Sequence, residues 1–266
     1  MRSPDIYPTA NDLCEAAADF WLAAYAAAVI EHDSFHVALS GGTTPKKLYE
    51  RLATPAYQEK INWKKVHIYF GDERLVPLEH TDSNYNMAKK AMLSQINCPD
   101  SHIHHAPVEL FTGLSPSEQS SNREQNKAAE AVARKYDELL QKSLPSAPDK
   151  QPTKKAISPQ FDLVLLGLGP DGHTASLFPG TEAVNVTDRL CSAVFVERLK
   201  SWRISITFPV INNAKKILLL SEGSSKVDII KELTNKDTPT LKYPVQHVRQ
   251  TNGFFWYVDQ AAVNIS

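Results

Sequence analysis

Apolar and alanine positions recur at helical spacing over residues 11–32, and Phe35-His36-Val37-Ala38-Leu39 then reads as a short buried strand. The loop Ser40-Gly41-Gly42-Thr43-Thr44 leads into Pro45, which suits the first position of a helix over residues 46–53, where no N–H is needed. The unit recurs. A strand over 66–70 runs into Gly71-Asp72-Glu73-Arg74, and Ser83 caps a helix that continues to about Leu93. A long charged amphipathic helix is predicted over 117–143. Residues 144–160 carry four prolines among polar residues and predict a surface loop. The continuous apolar run Phe161-Asp162-Leu163-Val164-Leu165-Leu166 suits a central parallel strand buried on both faces. Later strands are expected at 193–196, 203–207, 217–220 and 254–258, with a helix over 224–233.

This alternation predicts an α/β fold, Rossmann-like, with a mostly parallel central sheet and helices on both faces. Such sheets bind ligands beyond the carboxyl ends of their strands. No repeat of fixed period interrupts the pattern, and residues 1–266 are expected to form a single domain. An apolar fraction of 42% with 22% charged residues permits a sizeable core. Lys and Arg number 29 against 30 Asp and Glu, so no overall charge draws the chain to nucleic acid or an anionic membrane. The apolar stretch 20–30 covers about half of what a bilayer-spanning helix needs, and predicts a buried helix instead. Cys14, Cys98 and Cys191 lie far apart without Cys-x-x-Cys spacing, which suits a reducing compartment. Asp5 and Pro8 interrupt any secretory pattern and Asn264-Ile265-Ser266 is not a peroxisomal signal, so the cytoplasm is expected.

The chemistry concentrates at predicted strand ends. Ser40, Gly41, Gly42, Thr43 and Thr44 offer close backbone approach, hydroxyl donors and a helix start whose free N–H groups suit an anion. The segment is neither a Walker motif nor, lacking Gly-x-Gly-x-x-Gly, a dinucleotide fingerprint. Gly167-Leu168-Gly169-Pro170-Asp171-Gly172-His173 begins where the central strand ends. At the start of a following helix, His173 would be kept neutral by the helix dipole and able to take a proton from water. Asp72, Glu73 and Arg74 lie at the same edge. His102-Ile103-His104-His105 lacks a Cys or carboxylate at ligand spacing, so surface histidines and no metal are expected. The basic stretch 150–155 reads as solvated loop.

Three blocks, 39–48, 71–88 and 161–179, together resemble the 6-phosphogluconolactonase family, which forms a larger group with the glucosamine-6-phosphate deaminases. A weaker fourth block begins at Thr207-Phe208-Pro209 and runs on to Gly223 and Lys226. The deaminases are similar up to Asp171-Gly172-His173 but continue with a glutamate at the position that is Phe178 here. Thr174-Ala175-Ser176-Leu177-Phe178-Pro179 is the lactonase wording. The resemblance implies hydrolysis of a small-molecule sugar-phosphate lactone, 6-phosphoglucono-1,5-lactone, without metal or organic cofactor, in the oxidative pentose phosphate pathway. It implies His173 as general base, residues 41–44 with Arg203 and Lys226 on the phosphate, Arg74 on sugar hydroxyls or the developing oxyanion, and Asp72 as a positioning group. Ser40, Gly169, Asp171 and Gly172 are expected to line the same site. A monomer or weak homo-oligomer is expected. The alternatives are a deaminase or isomerase on an amino-sugar phosphate, which shares the Asp72 and Asp-Gly-His elements, and a non-enzymatic sugar-phosphate sensor.

Overall fold

The computed structural model describes residues 1–114, 122–146, 159–248 and 253–263. The chain starts with β1 (Asp5–Tyr7) and α1 (Ala10–His32). Thr9 opens α1 with a capping box: its Oγ accepts the Asp12 N–H at 3.2 Å while Asp12 accepts the Thr9 N–H at 3.0 Å. By length and composition α1 would pass as a membrane span. Its residues Leu13, Ala17, Trp21, Ala24 and Ala28 are buried at helical spacing against the sheet, as in a core helix.

The remaining elements, in order, are β2 (Phe35–Leu39), α2 (Thr43–Leu52), α3 (Pro55–Gln58), β3 (Val66–Phe70), β4 (Asp72–Arg74), α4 (Asn84–Ala91), β5 (Ile103–His104), α5 (Glu109–Thr112), α6 (Asn122–Ser143), β6 (Leu163–Gly167), β7 (Cys191–Val196), β8 (Ser201–Ile206), α7 (Phe208–Asn213), β9 (Lys216–Ser221), α8 (Val227–Thr234), β10 (Phe254–Asp259) and α9 (Gln260–Val263). Among the described residues, the main sheet has the order β1-β10-β9-β6-β2-β3-β5, with every pair parallel. Successive side chains feed opposite cores. Phe35, Val37, Leu163 and Leu165 pack with Trp21 and Leu48 on one face, while Ala38, Val164 and Leu166 pack with Tyr136 and Phe254 on the other. From the β2–β6 pair the chain winds outward through β3 to one edge and through β9 and β10 to the other. The switch point therefore lies between β2 and β6.

A second, antiparallel sheet of order β4-β8-β7 departs from the expected single sheet. The strands near 193–196 and 203–207 form a hairpin, closed by Lys200 in a left-handed conformation, and do not join the parallel ladder. Gly71 couples the two sheets: its N–H donates to Leu39 O and its carbonyl accepts from Ile206 N–H, each at 2.8 Å. A Cβ on Gly71 would stand 3.2 Å from the Leu39 oxygen, so the junction suits a residue without a side chain.

Other departures are local. Helix α2 starts at Thr43 rather than at Pro45, which occupies its third position, where a missing N–H still costs no intrahelical bond. The expected start of the long helix at 117, most of the 144–160 loop, the basic stretch 150–155 and the chain end 264–266 lie outside the described residues, although Ser146 and Pro159 bridge antiparallel. His102 and His104 are half-buried, not surface residues. His36 stacks on His67 at 4.5 Å between centroids and His67 on His102 at 3.9 Å, near the amino ends of the strands and opposite to the switch point.

Burial lowers His36 to about 3 and His67 and His104 to about 4, and each neighbouring histidine adds repulsion on protonation. A histidine depressed in the fold stays neutral there while the unfolded chain protonates below about 6.5. Its contribution is full above that value and is lost as pH falls towards 4. Thermal melts should show stability dropping between pH 6.5 and 4.5, and His67→Phe should flatten that slope. An equal slope in both proteins would remove the histidine stack as its cause.

Candidate active site

Four adjacent strands, β9, β6, β2 and β3, deliver their carboxyl ends to one edge. β2 is followed by Ser40, whose N–H donates to Tyr49 OH at 2.9 Å while that hydroxyl donates back to Ser40 O at 2.7 Å. The loop is thereby tied to α2. Gly42 caps α2 with no side-chain hydrogen bond, so first-turn amides remain available beside Thr43 and Thr44. Gly41 is pressed against Asn84, whose Oδ1 would lie 2.1 Å from an added Cβ.

β6 delivers Gly169, Asp171 and His173. No helix follows here. The chain turns back on itself, with Gly169 N–H donating to His173 O at 2.8 Å and Thr174 bridging to Leu177. Gly167, Gly169 and Gly172 thus have dinucleotide-fingerprint spacing without the helix start that would hold a pyrophosphate. The expected dipole effect on His173 is replaced by burial, which lowers its pKa against the opposing pull of the Asp171 hydrogen bond. His173 Nδ1 lies 2.5 Å from Asp171 Oδ1. Because a carboxylate accepts, Nδ1 carries the proton and Nε2 keeps its lone pair. Burial would push Asp171 up, but His173 and Arg198 outweigh it and the carboxyl titrates below its ordinary value.

Asp171 is expected among the substrate ligands, yet its oxygens face His173 and Arg198. Gly172 also turns away: its carbonyl accepts from Val245 N–H at 3.0 Å and its backbone packs on Tyr243. Gly169 does line the cavity, and a Cβ there would fall 2.0 Å from His173 Nδ1. Phe178, at the position where the deaminases carry glutamate, stacks on His173 with 4.1 Å between centroids.

β3 continues into β4, which places Asp72 and Arg74 at the site. Asp72 accepts from Ser176 Oγ at 2.6 Å and from Asn84 Nδ2 at 3.2 Å, so its carboxylate is held from behind. Glu73 points the opposite way. It is buried beneath α4, accepting the N–H groups of Arg74, Asn84 and Tyr85 within 2.8 Å, and burial raises its pKa despite those donors. Arg74 and Arg203 are direct partners across β4 and β8. The buried Nε of each has no hydrogen-bond partner among the described residues. Two guanidinium groups side by side are costly unless an anion joins them, and burial and Arg74 both push Arg203 down. Lys226 follows β9, and burial lowers it too.

Ser40, Gly41, Gly42, Asp72, Arg74, Gly169, His173, Arg203 and Lys226 thus line one cavity of about 220 Å³. It shares Gly41, Gly42 and Lys226 with a neighbouring cavity of about 350 Å³ that Thr43 and Thr44 line. A larger cavity, about 640 Å³, lies along β7 beyond Phe178 and Arg198, but neither His173 nor Arg203 reaches it. The convergence of an imidazole and three cations, rather than volume, marks the smaller space as the candidate site. Sequence reasoning missed Asn84, Ser176 and Arg198. Asn84 and Ser176 lie inside the matching blocks, whereas Arg198 stands on a hairpin turn with no mark to separate it from solvated arginines.

Residues 8–256 match the family model of glucosamine-6-phosphate isomerases/6-phosphogluconolactonase. A 6-phosphogluconolactonase from Synechocystis is 35% identical over 235 residues, covering 88% of this chain and 86% of that one. The crystal structure of 6-phosphogluconolactonase from Leishmania guyanensis superposes with a TM-score of 0.84 at 32% identity, covering 98% of this chain and 97% of the other. A monomeric glucosamine-6-phosphate deaminase shares the fold at a TM-score of 0.73 and 16% identity, over 99% of this chain and all of the other. With strand-end blocks, sheet order and extended sequence similarity in agreement, the chain belongs to the glucosamine-6-phosphate isomerase/6-phosphogluconolactonase family.

Proposed function

We propose that the protein hydrolyses 6-phosphoglucono-1,5-lactone to 6-phosphogluconate, the second step of the oxidative pentose phosphate pathway, in the cytoplasm. The observation that carries the mechanism is an imidazole with Nδ1 anchored on Asp171 and Nε2 without a hydrogen-bond partner among the described residues, in a cavity shared with Arg74, Arg203 and Lys226. His173 Nε2 takes a proton from water as the water oxygen adds to the lactone carbonyl. The resulting oxyanion forms beside Arg74. As the tetrahedral carbon collapses, the bond to the ring oxygen breaks, and the imidazolium returns the proton to that oxygen. The α2 start, Arg203 and Lys226 hold the phosphate, whose binding orients the ring. Asp72, fixed by Ser176 and Asn84, accepts a sugar hydroxyl. Neither step needs a covalent nucleophile, a metal or an organic cofactor, since water attacks directly and the leaving oxygen is protonated.

Phe178 favours this reading over a deaminase, because an aromatic ring supplies no carboxylate for opening an amino sugar and instead keeps water off one imidazole face. Release of ammonia from glucosamine 6-phosphate, with the lactone opening only at its spontaneous rate, would reverse the assignment. Binding of 6-phosphogluconate without any rate enhancement would instead identify a sensor.

His173→Ala should lower kcat by about 10² to 10⁴ with KM largely kept, in a coupled assay corrected for spontaneous hydrolysis. Near-normal turnover would remove His173 from the role. Because His173 is lowered below its ordinary value, it stays a base at neutral pH, and kcat/KM should fall only as acid protonates it, below about pH 6.5. An acid limb centred above that value would contradict the buried imidazole as its source. Arg203→Ala and Lys226→Ala should raise KM strongly with smaller effects on kcat; unchanged KM in both would overturn the phosphate assignment.

A further inference from the structure

Asp171 has two side-chain partners, an imidazole and a guanidinium. One oxygen accepts from His173 Nδ1 at 2.5 Å, and the other meets Arg198 Nη2 at 2.9 Å. Arg198 lies in the turn Glu197–Leu199, between β7 and β8, and so reaches the His173 loop from the small sheet. Its guanidinium stands 5.2 Å from the centre of Phe178, the ring that stacks on His173. Arg198 does not line the cavity of His173 and the two other arginines. Its contacts with the site run through Asp171 and Phe178.

From these contacts we infer that Arg198 is a positioning residue for His173, fixing the rotation of the Asp171 carboxylate and offsetting its charge so that the imidazole keeps a free Nε2 lone pair. The inference rests on His173 as the base. Both the Nδ1 and the backbone N–H of His173, the latter at 3.3 Å, meet the same Asp171 oxygen, so the carboxylate can still turn about its broad terminal torsion, and a partner on the other oxygen restricts that freedom. The electrostatic side is equally direct. An unshared carboxylate favours imidazolium, and a cation on its far oxygen weakens that pull.

The charged groups facing His173 are Asp171 on its own loop, Asp72 from β4 and Arg198 from the hairpin turn, with Arg74, Arg203 and Lys226 across the cavity. Asp171 and Asp72 favour its protonation while Arg198 opposes it, after burial as the largest influence. Glu197 and Lys200, on the same turn, pair with each other and leave Arg198 to Asp171. The Arg198 side chain is 53% exposed, so its loss should cost little stability and its effect should be read in the chemistry.

The test compares Arg198→Gln and Arg198→Lys in the full chain, following the His173 imidazole by NMR titration and kcat/KM against pH. In Arg198→Gln the His173 titration and the acid limb should both move up by about half a pH unit, since exposed ion pairs have modest strength. Its kcat should fall on the order of tenfold through the loosened geometry, with KM kept. Arg198→Lys should return the titration towards its original position, and in an Asp171→Asn background Arg198→Gln should add nothing. An unmoved His173 titration in Arg198→Gln overturns the inference, as does a raised KM with unchanged titration, which would make Arg198 a substrate ligand. A titration that moves while the acid limb stays fixed supports the hold of Arg198 on His173 and overturns His173 as the base.

Discussion

The pairing of β2 with β6 is the constraint from which the site follows. These parallel strands meet at Val37–Leu163 and Ala38–Val164, and from them the chain winds to opposite edges. Connections leaving the two carboxyl ends must therefore part, one towards α2 and the other into the His173 turn. The gap between them is lined by Ser40, Gly41 and Gly42 on one side and by the 167–170 turn and His173 on the other. Strong apolar burial on both faces fixes the pair, since Val37 and Leu163 face one core while Ala38 and Val164 face the other.

Around that gap the electrostatics are arranged in opposition. Cations collect on the side where an anionic substrate would lie: Arg74, Arg203 and Lys226 share a cavity with few carboxylates, and burial lowers Arg203 and Lys226. The carboxylates are held from behind, Asp72 by Ser176 and Asn84 and Asp171 by His173 and Arg198. His173 stands at the boundary, kept neutral by burial although two carboxylates favour its charge. A neutral imidazole next to a preformed cationic pocket suits addition of water to an ester whose charge grows only as bonds change.

Much of this was legible in the sequence because periodicity and strand-end glycines report burial and backbone approach directly. The apolar runs 35–39, 66–70 and 161–166 mark buried strands, and residues that follow them line the candidate site. The second sheet was not legible. Its strands alternate like any others, and what separates them from the parallel ladder is the Gly71 junction, a matter of space between distant segments. The helix expected after His173 failed for a related reason: the glycines that signal a sharp turn do not say whether a helix resumes, and here Thr174 bridges back to Leu177. Asp171 looked like a ligand by its place in the motif. Only the contact with Arg198, 27 positions further along the chain, reveals its second partner.

The Gly71 junction has a geometric consequence. The imidazole stands on the parallel sheet while both arginines stand on the antiparallel one, so the distance between them is set by the angle at which the two sheets meet. The site works as a caliper whose jaws belong to different bodies. Buried residues such as Ile204 and Ile206, which seat the small sheet on the shared core, set the opening of those jaws without facing the cavity. The span between imidazole and arginines is thus set partly by hydrophobic packing, at positions that carry no reactive group.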